Sequence, residues 1–467
     1  MGNNETKPAI SSTSENGKLK THTLSQSLSG KLIVTKENVP FENLLDYVIT
    51  NTEREEKDDG FYMMNMERTI TIYRKWCELL PRIRPFFAIK ANPDPVLVRQ
   101  LHLLGTGFDC ASKSEIELAL SVGSKPSDII YAHPCKKPSY ISIAAKRGVS
   151  MMTFDSKEEL FKIKELYPDA ELLIRFRPTC KDALYEVNGF KFGAAVEDCS
   201  DILAVAKDLG LNIIGVSFHV GTCCFNEMSF VKSIQSSRNI FDQAVSRLHI
   251  DKCDRPTIHK AVLSFLLQEK LGFSFSILDI GGGFPGKDSQ DALFEKMCHV
   301  INHSLEQNFP VSTGVKIIAE PGNYFACSPF KLVTNVIAVK EITKKQIQGG
   351  GENPPMRFTE DDPDNGYMYY IDDGVFGSFS ELLYNPDIKY TPLTINKTSE
   401  ANYPSSIWGP YCDVIDFVNR DSRLPKLSVG DWLYFDNFGA YTSATSSSFN
   451  GFSAEKYKYY HITLETW

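Results

Sequence analysis

The stretch PFFAIKANPDPVLVRQLHLLGTGFDCAS, residues 85–112, shows the pattern that decides the fold. It begins with a short apolar run that ends in a lysine, continues with an amphipathic segment, and closes with a second short apolar run. Short apolar runs bounded by turn residues are typical of buried strands, and the spacing of apolar residues between them is typical of a helix. The stretch therefore predicts a strand, a helix and a second strand.

The same alternation continues to about Phe330. Further apolar runs follow in chain order: DIIYAHP, SMMTFD, ELLIRFRP, IIGVSFHVG, SILDIGGG and VKIIAEPG. About eight strands over about 250 residues favour a closed parallel barrel over an open doubly wound sheet. The sequence therefore predicts an α/β protein with a (β/α)8 barrel of the TIM type over residues 61–329, whose functional residues lie at the carboxyl ends of the strands.

The segments on either side of the barrel have a different texture. Residues 330–467 contain strand-like runs separated by Gly, Pro, Asn and Asp, which predicts a C-terminal all-β domain; its segment 346–366 is rich in Gly, Pro and acids and predicts an exposed loop. Residues 1–30 are polar and predict a disordered tail. Residues 31–60 are expected to join the β-domain.

Composition narrows the classes of partner. The 467 residues carry a formal net charge of −8, which disfavours nucleic acid and leaves a small-molecule substrate as the expectation. No apolar run approaches the length that crosses a bilayer, and the N-terminus has no signal-peptide core, so we expect a cytoplasmic protein without a membrane contact. The 11 cysteines are scattered, which predicts reduced thiols and no metal site.

Four features at predicted strand ends could take part in catalysis or ligand binding. They are Lys90 in PFFAIKANP, His219 in GVSFHVG, the run Gly281, Gly282 and Gly283 after SILDI, and Glu320 in VKIIAEP. A desolvated lysine is a usable Schiff-base nucleophile, and glycines let backbone N–H groups approach a phosphate.

Three of these features also have an ordinary structural explanation. The lysine fits an edge charge, the histidine a core residue and the glycines a tight turn, whereas an unpaired buried carboxylate such as Glu320 needs a cation. The four features together are stronger evidence than any one of them, because a lysine, a stacking imidazole, a phosphate-binding turn and a buried acid are what a pyridoxal phosphate site requires.

In the predicted β-domain, Cys412 beside Asp413 suggests proton delivery with cation binding, although such a pair is usually structural.

From about Phe61 to Phe452 the sequence resembles the fold-type III, alanine-racemase-like decarboxylases, and specifically the eukaryotic ornithine decarboxylases, with fungal character in AEPGNYF and the polar N-terminal extension. The resemblance rests on these strings: PFFAIKANPD, GFDCASKSEI, YAHPCK, GVSFHVG, LDIGGGFPG, IAEPG, DDGVFGSF, SSIWGPYCD and GAYTSATSSSFNGF.

The resemblance implies a role for each matching residue. Lys90 would hold pyridoxal 5'-phosphate as a Schiff base, His219 would stack on its ring, Glu320 would keep the ring nitrogen protonated, and Cys412 would return a proton to the α-carbon. The phosphate contacts would be Gly281, Gly282, Gly283, Tyr441 and Thr222, the last at a usual serine position. Asp109, Glu115 and Arg175 would form the polar surroundings. Cys412 and Asp413 would come from the partner subunit of a homodimer, bridged by Lys191 and Asp416.

Three positions depart from the family pattern. Asn323 replaces an arginine that clamps the cofactor phosphate, which predicts weaker cofactor binding by on the order of 1.5 to 3 kcal/mol. Phe376 replaces a tyrosine near cofactor and substrate. Asn385 replaces an aspartate that, with the match to Asp413, holds the distal ammonium of ornithine, so selection for a small diamine would weaken.

Several functions stay open on this basis. One is decarboxylation of L-ornithine for polyamine synthesis, and another is decarboxylation of a larger or N-substituted amino acid in specialised metabolism such as alkaloid formation, toward which Asn385 leans. A third is a catalytically impaired regulator like the antizyme inhibitors, which the retained Lys90, Asp109, Arg175 and Cys412 make a minority interpretation. A racemase is disfavoured by Cys412, and the resemblance leaves an antizyme-like partner open.

Overall fold

The computed structural model describes residues 12–16, 19–23, 30–51, 58–178, 191–222, 224–246, 273–348, 354–395 and 402–464. It divides the chain into two compact units. The β unit comprises Met1–Thr69 and Cys327–Trp467, and the barrel unit comprises Ile70–Ala326. The predicted class, a (β/α)8 barrel with an added β-domain, is confirmed.

The strands are numbered in chain order. Four precede the barrel: β1 Ser12–Asn16, β2 Leu19–Thr23, β3 Gly30–Thr35 and β4 Phe61–Asn65. Eight form the barrel: β5 Ile83–Ala88, β6 Gly107–Cys110, β7 Ile129–Tyr131, β8 Met151–Phe154, β9 Glu171–Arg175, β10 Asn212–Ser217, β11 Ile277–Asp279 and β12 Lys316–Ala319. Seven follow: β13 Phe330–Thr343, β14 Asn365–Ile371, β15 Leu393–Thr394, β16 Tyr403–Trp408, β17 Phe417–Leu424, β18 Trp432–Phe435 and β19 Tyr457–Thr463.

The described α-helices are also numbered in chain order. They are α1 Phe41–Thr50, α2 Met66–Leu79, α3 Pro95–Leu104, α4 Lys113–Ser121, α5 Pro138–Arg147, α6 Lys157–Leu166, α7 Cys199–Asp208, α8 Met228–Ser246, α9 Asp291–Asn308, α10 Asn323–Ala326 and α11 Lys344–Gln348. Within the described residues, no helix is both long and apolar enough to cross a membrane.

The barrel strands are all parallel and close when β12 pairs with β5. Each strand is short, and side chains from alternate positions fill the interior, among them Phe86, Ile130, Leu173 and Ile318. Local signals set both ends of α3, the helix after the first barrel strand. Asp94 accepts hydrogen bonds from two N–H groups at its start, and Gly105, at φ 101°, ends it. The strand order therefore brings eight carboxyl ends to one rim.

The β unit has one large sheet in the order β1-β2-β3-β19-β4-β13-β14-β16-β17, with β18 pairing β13 and β15. Its core packs α1 against the sheet through Leu44, Leu45 and Val48, which contact Phe61 and Val333. Three segments of this unit differ from the sequence-based expectation: β4, the N-terminal tail and the loop 346–366.

The strand β4 belongs to the β unit, whereas we expected the barrel to begin at Phe61. Both edges of β4 are taken, by β19 and by β13, and the side chains Phe61–Met64 are buried there. An apolar run of this length fits either sheet, so its partners decide its place.

The terminal tail and the acidic loop also differ in part. Within residues 1–30, β1 and β2 form a paired hairpin that extends to β3, because backbone hydrogen bonds order this polar segment; the other residues of the tail before Gly30 lie outside the described ranges. In the loop 346–366, Met356 is buried against Ile342 and Met368, so this part of the loop is anchored by apolar packing; residues 349–353 are not described.

Candidate active site

Lys90 and Asp109 form an ion pair at the rim of the barrel. Lys90 lies in the helical turn that follows β5, and Asp109 lies in β6, where it is paired in register with Ala88. The Nζ of Lys90 contacts Oδ2 of Asp109, whose side chain is fully buried while that of Lys90 is 35% exposed. Lys90 is therefore held at a fixed place yet remains accessible from the rim.

Two buried carboxylates on this rim, one of them in the ion pair itself, have an oxygen without a hydrogen-bond partner among the described residues. They are Oδ1 of Asp109 and Oε1 of Glu320, which follows β12. Burial raises the pKa of Glu320 well above its usual range, and the nearby Asp279 and Asp109 raise it further. A buried acid with a free acceptor atom is costly unless a donor is supplied, and a protonated ring nitrogen would be such a donor.

His219 follows β10 on the same rim. The Gly221 N–H donates to its Nδ1 at 3.0 Å. Burial lowers the pKa of His219 well below its usual range, and the positive charges of Arg175 and Lys90 lower it further. The imidazole is therefore neutral at physiological pH, which suits a ring that stacks on a flat cofactor.

The glycine run after β11 leaves a space that side chains would close. A Cβ on Gly281, whose φ is +63°, would lie 2.1 Å from the Phe218 carbonyl oxygen, and one on Gly282 would lie 2.9 Å from Nε2 of His219. Gly283 has φ +112° and would place a Cβ 2.7 Å from the Gly221 carbonyl oxygen. The turn thus requires glycine and presents bare backbone beside His219, as a phosphate site does.

Asp279, the last residue of β11, was missed by the sequence-based site. Its Oδ2 accepts from Ser217 Oγ at 2.8 Å, and its Oδ1 accepts from the Gly281 N–H at 2.9 Å. The available signal was an acid at the end of an otherwise apolar strand, directly before the glycines. Its partner Ser217 lies in another strand, so the contact is invisible in the sequence.

The remaining barrel residues of the predicted site surround this centre. Glu115 accepts from the Ala111 N–H at 2.6 Å, and burial raises its pKa. Arg175 ends β9, and its Cζ lies 5.5 Å from the centre of the Phe192 ring; Lys191 Nζ lies 5.2 Å from the same ring. Thr222 follows Gly221 and is half-buried.

Asn323 opens the one-turn helix α10 and is half-buried. Its amide is neutral, so it offers no positive charge at the position where the family resemblance implies an arginine. The charge available to a phosphate from this position is therefore lower than in the family pattern.

Five predicted site residues lie in the β unit and not in the barrel unit: Cys412, Asp413, Tyr441, Phe376 and Asn385. Cys412 is exposed, and its N–H donates to Asn450 Oδ1 at 2.9 Å. Asp413 is exposed and accepts from the Ile415 N–H at 3.1 Å.

The other residues of this group occupy turns of the β unit. Phe376 packs on Phe449 with ring centres 4.4 Å apart. Tyr441 has a left-handed backbone at φ 54°, and the N–H of Asn385 donates to the Glu381 carbonyl at 2.9 Å. Phe376 and Cys412 are thus tied to neighbouring residues, Phe449 and Asn450, of one turn.

Asp416, which the resemblance pairs with Lys191 across subunits, is buried in the β unit. Its oxygens accept from the N–H groups of Val375 at 2.8 Å and Tyr411 at 2.7 Å. Burial raises its pKa to about 6. Asp416 therefore fixes the turn that presents Cys412 and Asp413.

Taken by itself, the barrel rim fits pyridoxal phosphate. Lysine, imidazole, two carboxylate oxygens in need of a donor, and a glycine cradle are present together, whereas the described residues include no group of three or more His, Cys, Asp or Glu side chains placed to hold a metal ion. The donor set thus suits an organic cofactor with an amine-reactive carbonyl, a basic ring nitrogen and a phosphate.

Comparison with known proteins supports this assignment. Residues 67–251 and 255–327 match the family model for the pyridoxal-binding domain of pyridoxal-dependent decarboxylases. The chain is 38% identical over 435 residues to ornithine decarboxylase of Rattus norvegicus, covering 93% of the chain and 87% of the rat protein. It is equally 38% identical to antizyme inhibitor 2 of Xenopus laevis over 428 residues, covering 91% of the chain and 86% of that protein.

A solved structure shares the fold. Arginine decarboxylase of Paramecium bursaria Chlorella virus, bound to agmatine, superposes with a TM-score of 0.76 at 30% identity, and the match covers 90% of the chain and all of the viral protein.

Proposed function

The chain belongs to the pyridoxal-dependent decarboxylase family, and we propose that it releases carbon dioxide from L-ornithine or from a related larger or N-substituted amino acid. It is a pyridoxal-phosphate-dependent carboxy-lyase. The site assignment rests on two buried carboxylates, Asp109 and Glu320, on the rim that holds Lys90 and His219. Each has one oxygen that finds no hydrogen-bond partner in the part of the chain that the structure describes.

Each of these barrel residues has its own role in the proposed site. Lys90 would bind the cofactor carbonyl, and Asp109, its ion-pair partner, would orient it. Glu320 would accept a hydrogen bond from the ring nitrogen, and neutral His219 would offer its imidazole for stacking. The backbone of Gly282 and Gly283 and the Thr222 hydroxyl would take the phosphate, because the Gly281 N–H is already bound by Asp279. When bound, pyridoxal phosphate supplies an electron sink that accepts the electron pair left by the departing carboxylate.

A proton must then reach the α-carbon, and Cys412 is the proposed donor. Its thiol is exposed on a turn of the β unit, and the neighbouring side chains Val414 and Ile415 are 87% and 46% exposed. Adjacent exposed apolar side chains form a contiguous patch, and such patches are typical of protein–protein contact surfaces. We therefore infer a homodimer in which Cys412 and Asp413 would complete the site of the partner subunit.

The substrate preference depends on Asn385 and Asp413. Asp413 keeps one carboxylate for a cationic side chain, whereas Asn385 supplies a neutral amide where the family pattern has a second carboxylate. One fewer negative charge lowers the advantage of a compact primary ammonium and removes repulsion against a substituted or acidic group. This favours a larger or N-substituted amino acid, as in alkaloid formation, over dedicated polyamine synthesis.

The test measures carbon dioxide release by the purified holoenzyme from L-ornithine, L-lysine and N-substituted diamino acids. We expect substituted or larger substrates to match or exceed ornithine in kcat/KM, and Asn385→Asp to shift the ratio toward ornithine. Asn419→Asp serves as a control, because Asn419 is another β-unit amide and donates to the Tyr390 carbonyl outside the proposed site. Turnover of ornithine alone by the native chain would contradict the preference.

A regulator of the antizyme-inhibitor kind is the second candidate. The similarity to the Xenopus protein and the departures at Asn323, Phe376 and Asn385 favour it. The retained Lys90 and Cys412 argue against it. Bound cofactor without carbon dioxide release from any of these substrates would support the regulator and exclude the decarboxylase.

A further inference from the structure

Asp279 ties together the three strand ends that carry the proposed cofactor contacts. Through Ser217 it reaches β10, which leads to His219; through the Gly281 N–H it reaches the glycine turn; and its carboxyl lies within hydrogen-bonding range of Glu320, after β12. The Glu320 N–H in turn donates to the Gly281 carbonyl at 2.7 Å, so the connection between turn and acid is closed by backbone.

The carboxyl groups of Asp279 and Glu320 are in contact, and this contact indicates a shared proton. Asp279 and Ser217 are 0% and 2% exposed, and Glu320 is 3% exposed, so solvent does not screen the pair. Two adjacent carboxylates repel each other strongly when both are ionised, and the arrangement is stable when one proton is shared between them. A plain packing role would be served by an apolar side chain at lower cost.

Asp279 also defines the cradle. The Gly281 backbone has φ +63°, and its N–H points to Asp279 Oδ1 at 2.9 Å. This hydrogen bond restrains the start of the turn that continues through Gly282 and Gly283. One side chain therefore controls both the phosphate end and the ring-nitrogen end of the site.

We propose that Asp279 is a positioning residue that holds the glycine turn and the Glu320 carboxyl in place for the cofactor by joining the ends of β10, β11 and β12. This role rests on the cofactor site proposed above. Asp279 is fully buried, so it would act through Gly281 and Glu320 and not on the substrate directly.

The first test compares the affinity of the cofactor-free protein for pyridoxal phosphate and for pyridoxal, which lacks the phosphate, by quenching of protein fluorescence. The dissociation constant for pyridoxal divided by that for pyridoxal phosphate reports the phosphate contacts alone. Asp279→Ala removes the acceptor of the Gly281 N–H, and we expect the ratio to fall about 10-fold or more, the usual effect of losing a hydrogen bond to a charged group. Asp279→Asn keeps an acceptor and should hold the ratio within about threefold.

The matched control is Ser217→Ala, which removes the other donor to Asp279 but leaves the Gly281 contact. It should also keep the ratio. An unchanged ratio in Asp279→Ala, with both affinities reduced equally or not at all, would show a merely structural residue and overturn the proposal.

The second test needs no cofactor and covers the case in which Asp279→Ala does not fold. Infrared spectroscopy of the cofactor-free protein should show the carbonyl stretch of a protonated carboxyl group that changes frequency in both Asp279→Asn and Glu320→Gln. A band that responds to Glu320→Gln but not to Asp279→Asn would contradict the shared proton. Failure of the native protein to bind pyridoxal phosphate at all would instead overturn the cofactor site, a result distinct from either outcome for Asp279.

Discussion

Gly281→Ala is the substitution whose effect the structure defines most sharply. A methyl group at this position would lie 2.1 Å from the Phe218 carbonyl oxygen and 2.8 Å from the His219 Cα, on a backbone at φ +63°. Gly210, after α7, has nearly the same φ of +64°, but a methyl group there would have no neighbouring atom within 4 Å. The two glycines therefore separate backbone strain from steric overlap.

The expected cost follows from these two contributions. A left-handed backbone costs a non-glycine residue about 1 to 2 kcal/mol, which applies to both variants. Overlap in a packed interior adds about 1 to 3 kcal/mol, which applies to Gly281→Ala alone. We expect Gly210→Ala to lower the free energy of unfolding by about 1 to 2 kcal/mol and Gly281→Ala by about 2 to 5 kcal/mol.

Urea unfolding followed by tryptophan fluorescence measures the difference, because Trp76 is fully buried in the barrel unit. Relief of the overlap would also displace His219, so cofactor affinity should fall in Gly281→Ala and remain in Gly210→Ala. Equal destabilisation of the two variants, within about 0.5 kcal/mol, would refute the close approach of Phe218 and His219 to the glycine turn.

Two further substitutions test other parts of the account. Asn323→Arg restores a charged partner for the phosphate, so equilibrium binding of pyridoxal phosphate should tighten by about 1.5 to 3 kcal/mol, and no gain would show that residue 323 does not face the phosphate. For Asp416, burial raises the pKa from 3.8 to about 6, so the folded state binds the proton more tightly than the unfolded state and stability should fall as pH rises from about 4 to 6. Asp416→Asn removes this group, and its stability profile, measured by urea unfolding across that pH range, should lose the corresponding slope; an unchanged slope would assign it elsewhere.

The barrel was predictable from sequence because its signals are local. One strand and the helix after it contain the apolar run that ends at Lys90, the Asp94 cap and Gly105. The same pattern of strand and helix signals recurs along the chain. Strand ends then follow from the fold class, which is why Lys90, His219 and Glu320 were expected on one rim.

What sequence did not reveal depends on partners that are distant along the chain. The strand β4 looks like a barrel strand until its pairing with β13 and β19 is known. Asp279 looks like a strand-end acid until Ser217, 62 positions away, is seen to donate to it. Contacts of this kind are set by topology, and no local pattern encodes them.

The central claim is that Lys90 holds pyridoxal phosphate in a catalytic decarboxylase site. Its most direct test is borohydride reduction of the holoenzyme followed by peptide mapping, which fixes the pyridoxyl group to the lysine that carries it. We expect a single modified peptide containing Lys90, and loss of the modification in Lys90→Arg. A pyridoxyl group found on another lysine, or on none, would contradict it.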